Sequence, residues 1–142
     1  MDICVIGAGY VGLVTSCSLA HLGHRVIVVE ADTVKLAKLK EGQVPFYEPG
    51  VADLLGQYYS GELLKFTDSI PEAVKQSEVI FIAVGTPSLA SGEPDMSQVV
   101  AVAKSIGACL DSSRRRIIVN KSTVPVGSGN WVEMLVNQGK HT

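Results

Sequence analysis

Residues 1–32, MDICVIGAGYVGLVTSCSLAHLGHRVIVVEAD, decide the fold. Residues 3–6 are a short apolar run rich in β-branched side chains, which reads as a strand buried on both faces. Residues 10–22 read as a helix, with Gly23 placed to end it, and residues 25–29 read as a second buried strand. Between the first strand and the helix lie Gly7, Gly9 and Gly12, a GxGxxG in the strand–turn–helix context that gives this pattern meaning. Each glycine has a physical task. Gly7 permits the tight turn off the strand, Gly9 lets a pyrophosphate approach the backbone, and Gly12 lets the helix pack close to the sheet. The amides of Tyr10 and Val11 open the helix, where the dipole favours negative charge.

A second acidic signal completes the reading. Glu30 closes the second strand 18 residues after Gly12, at the distance where a carboxylate accepts hydrogen bonds from an adenosine ribose. A carboxylate there repels a 2′-phosphate, so the expected cofactor is NAD and not NADP. Lys35 lies about one helical turn beyond and either meets the ribose or phosphate edge or is simply solvated.

The rest of the chain continues the alternation. Helices are expected over 33–39, 51–58, 70–75, 97–110 and from 130 to 136, with Asp95 or Ser97 capping the fourth of them. Strands are expected over 63–67, 78–84 and 116–120. Continuous apolar strands alternating with helices predict an α/β fold of the Rossmann type, a doubly wound parallel sheet covered by helices on both faces. With strand order 3-2-1-4-5-6, the sixth strand would follow residue 142. Residues 116–120 would then form an apolar sheet edge prone to self-association. Two loops follow the fourth and fifth strands at the mouth of the crevice. They carry Thr86 in GTP (85–87) and Thr123 in KSTVPVG (121–127). Each loop either lines a ligand site or is an ordinary strand-to-helix turn.

Composition sets the outer bounds. Apolar residues make up 46% and charged residues 18% of 142 residues, which suits one core-rich domain. A formal net charge of −2 provides no pull toward nucleic acid or anionic membrane. The run RRR at 114–116 reads as a solvated turn. No apolar stretch reaches about 18 residues, and no secretory pattern opens the chain. Cys4, Cys17 and Cys109 are odd in number and lie in apolar patterns, so they read as core residues in a reducing compartment. His21, His24 and His141 show no metal-ligand spacing. The expected setting is cytoplasmic.

Six motifs in order, GAGYVGL (7–13), VVEAD (28–32), PFYEPGV (45–51), VGTPS (84–88), GEPDMSQV (92–99) and KSTVPVG (121–127), make the chain resemble the amino-terminal NAD-binding domain of the nucleotide-sugar dehydrogenases. The resemblance runs over essentially all 142 residues. It implies an oxidoreductase that converts the C6 alcohol of a nucleotide sugar to a carboxylate in two hydride transfers to NAD. UDP-glucose, giving UDP-glucuronate, is favoured over GDP-mannose or a UDP-N-acetyl-hexosamine. The resemblance places Gly7, Gly9, Tyr10, Val11, Gly12, Glu30, Lys35, Thr86 and Thr123 at the cofactor and gives Thr123 an auxiliary catalytic part. Glu30 stands where the family usually has aspartate. The cysteine nucleophile, with the lysine and asparagine that polarise the sugar oxygen, belongs to later segments of such enzymes. The chain alone is therefore expected to be inactive, and the parent enzyme to be a homo-oligomer. A stand-alone nucleotide-sensing module is the rival from another class; it would need GAGYVG and Glu30 but not the motifs at 45–51, 84–88 and 121–127.

Overall fold

In the computed structural model, which describes residues 1–141, strand β1 (Asp2–Ile6) forms the centre of a five-stranded sheet. The elements follow as α1 (Tyr10–His21), β2 (Arg25–Val29), α2 (Thr33–Lys40), α3 (Val51–Tyr58), β3 (Leu64–Thr67), α4 (Ile70–Gln76), β4 (Val79–Ile82), α5 (Ser97–Cys109), β5 (Ile117–Asn120) and α6 (Ser128–Gly139). The strand order is β3-β2-β1-β4-β5, and every pairing is parallel. The order reverses at β1, where the chain turns from building one half of the sheet to building the other. Ile6 pairs with Val29 on one side and Ile82 on the other, so three strand ends converge on the glycine turn.

Alternation along β1 divides the interior into two cores, because successive side chains leave a strand on opposite faces. Ile3 and Val5 join Leu13, Cys17, Leu36, Leu39, Leu55, Leu64 and Phe66 under α1, α2 and α3. Cys4 and Ile6 join Ile80, Ile82, Val99, Ile106, Val132 and Val136 under α4, α5 and α6. The doubly wound sheet expected from the sequence is the one observed.

Differences are local. β4 is shorter than residues 78–84, running only from Val79 to Ile82, although the Ala83 N–H still donates to the Ile6 carbonyl at 2.8 Å. Helix α6 starts two residues before position 130: Gly127, at φ +85°, is its cap, and Ser128 Oγ donates to the Pro125 carbonyl. The cap of α5 is neither Asp95 nor Ser97 but Met96, which makes no side-chain capping bond; Asp95, one residue earlier, accepts the Ser97 N–H on its Oδ1 at 2.9 Å. The arginines at 114–116 are more than a solvated turn. Arg114 donates to the Lys75 carbonyl at the end of α4, and Arg116 Nε reaches the Val74 carbonyl, which also accepts the Ser77 N–H.

Among the described residues, β5 has a strand neighbour on one side only. Its other side opens on a groove of about 680 Å³ that includes Leu110, Ile118, Val132 and Val136. Among the described residues, no helix is long and apolar enough to cross a membrane.

Candidate cofactor-binding site

The three glycines of the first turn differ in what surrounds them. Gly7 has φ +105°, and a Cβ there would lie 2.4 Å from the Ala83 carbonyl oxygen. A Cβ on Gly12 would lie 1.8 Å from the Gly7 carbonyl oxygen. Gly12 thus serves the turn's own closure, as well as the approach of the helix to Ala83 just past β4. Around Gly9 the space where a Cβ would stand is empty to 4 Å. Two glycines are therefore required by the protein itself, while the third keeps an open approach to the backbone. That is the division expected where an anion comes close.

Gly9 also caps α1 without any side-chain hydrogen bond. The helix amides after it lie within the first turn and have no carbonyl four residues back inside the helix to bond. Tyr10 and Val11 are exposed there. The first turn contains no acidic residue to offset the positive end of the helix dipole. One aromatic contact shapes this edge. The Tyr10 ring lies 4.2 Å, centroid to centroid, from Phe46, bringing the 43–50 loop beside the helix start.

Glu30 is 9% exposed at the end of β2 and is held on three sides. Its Oε2 accepts the Ala8 N–H at 3.2 Å and the Lys35 ammonium at 3.2 Å, and its Oε1 accepts the Asp32 N–H at 2.9 Å. A carboxylate offers about four acceptor positions. Three are filled, and the remaining one is on Oε1. Sequence reasoning anticipated the acid but not its bond to Ala8, which fastens the end of β2 to the glycine turn. Lys35 pairs with Glu30; its place on α2 follows from Asp32, whose side chain accepts the Lys35 N–H and caps that helix.

The loops after β4 and β5 are joined to each other. Thr86 Oγ1 donates to the Thr123 carbonyl at 2.8 Å, and Ser122 Oγ donates to the Val84 carbonyl at 2.9 Å. Thr86 is half-buried and the Thr123 side chain is exposed. The candidate cofactor residues therefore lie on the loops at the carboxyl ends of β1, β2, β4 and β5, or in the first turn of the helix that follows, where open α/β sheets bind ligands. Ser122 and Phe46 were not singled out, although each lies inside a motif that was.

None of the cysteines has the setting of a nucleophile. Burial pushes the Cys4 thiol up to about 12 and the Cys17 thiol up to about 11, and it raises that of Cys109 as well.

Over residues 1–142 the sequence matches the UDP-glucose/GDP-mannose dehydrogenase family, NAD binding domain. It is 46% identical over 136 residues to UDP-glucose 6-dehydrogenase TuaD of Bacillus subtilis, covering 96% of this chain and 29% of that protein. It is 47% identical over 139 residues to a UDP-glucose 6-dehydrogenase of Pseudomonas aeruginosa, covering 98% and 30%. A solved ternary complex of GDP-mannose dehydrogenase from Pseudomonas aeruginosa superposes with a TM-score of 0.94 at 35% identity, over 100% of this chain and 33% of that one. A UDP-glucose dehydrogenase from Pyrobaculum islandicum gives 0.90 at 37% identity, over 96% and 32%. The chain thus spans about 30% of the length of the curated relatives it matches.

Proposed function

This chain belongs to the UDP-glucose/GDP-mannose dehydrogenase family, as its NAD-binding domain, and from that premise we propose that it holds NAD for the oxidation of UDP-glucose to UDP-glucuronate. The observation that carries the proposal is the uncapped start of α1 beside a carboxylate with one acceptor position left. The residues present fit the cofactor. The pyrophosphate has the amides of Tyr10 and Val11 and the open space at Gly9, with Gly7 and Gly12 holding the turn. Glu30 Oε1 has room for one ribose hydroxyl, and its charge disfavours the 2′-phosphate of NADP. Lys35 neutralises and orients that carboxylate from the other side.

Toward the β4 and β5 loops, the Thr86 hydroxyl has already given its one proton to the Thr123 carbonyl. It can only accept there, which suits a ribose hydroxyl. We assign the exposed Thr123 side chain the auxiliary part beside the reacting carbon. Bound NAD supplies the hydride acceptor. Taking a primary alcohol to a carboxylate removes four electrons, so two NAD are consumed per sugar. The chain's own residues bind and orient the cofactor, and burial keeps Cys4 and Cys17 protonated and out of reach of an aldehyde. We propose further that the enzyme acts as a cytoplasmic homo-oligomer.

The names of the relatives and the KSTVPVG loop after β5 favour UDP-glucose. The TM-score of 0.94 with a GDP-mannose dehydrogenase supports GDP-mannose as the second reading. Amide NMR of the chain tests both parts. Adding NAD is expected to shift Ala8, Tyr10, Val11 and Gly12 most, and shifts confined to the β5 groove would overturn the cofactor assignment. Adding UDP-glucose to the NAD-loaded chain is expected to move Thr123 more than GDP-mannose does, and the reverse order would favour the second reading.

A further inference from the structure

We propose that Ser122 is a positioning residue for the cofactor crevice, holding the β4 exit loop in place through its hydroxyl bond to the Val84 carbonyl. The inference deepens the NAD-binding reading above and rests on it.

The regular ladder between β4 and β5 ends at the pair Ile82 and Asn120. Beyond it, the Ile82 carbonyl accepts the N–H groups of both Lys121 and Ser122, at 2.8 and 3.1 Å. Ordinary strand pairing is then exhausted, and two side chains continue the join in opposite directions. Ser122 Oγ donates to Val84 at 2.9 Å, with its alternative partner, the Ile82 carbonyl, at 3.4 Å. Thr86 Oγ1 donates back to Thr123 at 2.8 Å. Asn120 Oδ1 accepts the Ser122 N–H at 3.3 Å and so fixes the turn from which the serine reaches across.

Val84 receives the shortest bond of the Ser122 side chain and also borders the glycine turn. Its Cα lies 3.1 Å from where a Cβ on Gly7 would be, so its backbone is also part of the wall against which the glycine turn closes. Pinning Val84 sets the start of the Gly85–Thr86 segment and thereby the position of Thr86. Ser122 itself is half-buried and has spent its proton on the protein. It acts through Thr86 and Thr123.

The placement gives a test that separates positioning from general stability. Adenosine and pyrophosphate fall to Glu30 and the α1 start, whereas the nicotinamide half falls to the β4 and β5 loops. Loosening the second region should weaken NAD and spare ADP. The experiment is calorimetric titration of the chain with NAD and with ADP, for wild type, Ser122→Ala and Ser122→Thr, well below the melting temperature of each.

The expected result for Ser122→Ala is a loss of NAD affinity of roughly threefold to tenfold, the scale of one side-chain hydrogen bond, with ADP affinity unchanged. Ser122→Thr, which retains the hydroxyl, should recover NAD binding. Should Ser122→Ala melt too low to assay, Ser122→Cys replaces it, since a thiol donates only weakly. Equal losses for NAD and ADP, or no loss for either, would overturn the inference. So would failure of Ser122→Thr to recover binding. A wild-type chain that binds neither ligand would instead overturn the NAD-binding reading, and the inference with it.

Discussion

Replacing Glu30 with glutamine removes a charge and almost no volume, so its effect can be worked from the bonds the carboxylate makes. Two backbone N–H groups and the Lys35 ammonium point at its oxygens. A carboxamide has one carbonyl oxygen and an NH2, so in either orientation a backbone donor meets another donor. If the oxygen stays with Asp32, the bond at 2.9 Å survives and the Ala8 N–H loses its acceptor. Ala8 is fully buried, and an unsatisfied buried donor costs about 1–3 kcal/mol. The Lys35 pair, with the lysine side chain 31% exposed, adds about 0.5–1 kcal/mol at most. The sum is about 1.5–4 kcal/mol, or roughly 5–13 °C in melting temperature for a domain of this size. Thermal unfolding followed by circular dichroism measures it. Lys35→Met, which removes the ion pair alone, should cost no more than about 1 kcal/mol. A Glu30→Gln chain melting within about 2 °C of wild type would refute the claim that this side chain fastens the glycine turn to β2.

Other consequences are equally open to measurement. Gly107→Ala should lose about 3 kcal/mol or more in chemical denaturation, despite the better helix propensity of alanine, because its Cβ would lie 2.0 Å from the Val136 carbonyl oxygen. Thiol labelling at pH 8 should modify Cys109 first and reach Cys4 and Cys17 only on unfolding, since burial both shields these two and holds them as thiols; early modification of Cys4 would contradict the packing. The carboxyls of Asp95 and Asp111 are lowered by hydrogen bonds from Ser97 and Ser113. Their contribution is therefore complete above the unfolded value of about 3.9 and lost as pH falls through the lower folded values. Asp95→Asn should flatten the acid end of the stability profile, and an unchanged profile would contradict a stabilising bond from the Ser97 N–H to Asp95. Sedimentation at rising concentration should show self-association through the β5 edge, and Ile118→Lys, placed in the groove beside it, should weaken it; a wild-type monomer at every concentration would count against that surface.

Much of the architecture was legible because it rests on local patterns. Uninterrupted apolar runs marked the buried strands, and β2 begins and ends where its run does. The GxGxxG sequence carried both the turn and the helix start. What escaped were contacts between residues far apart in the chain. The bonds from Arg114 and Arg116 to the end of α4 span about forty positions, and a basic run looks the same whether it is solvated or caps a helix. The close approach of α5 and α6 depends on Gly107 meeting Val136 and Gly139 meeting Lys104. A glycine inside a helical pattern signals such an approach without naming the partner. Glu30 was recognisable from its distance to the glycines, but its bond to Ala8 required knowing how the turn folds back on the strand.

The central claim is that the glycine turn, Glu30 and the start of α1 form an NAD site within these 142 residues. Calorimetric titration of the chain with NAD, and separately with NADP, tests it most directly. The account predicts saturable one-to-one binding of NAD and much weaker binding of NADP, because the 2′-phosphate would meet the Glu30 carboxylate. Equal binding of the two would contradict the role given to Glu30, and a folded chain that binds neither would contradict the site itself.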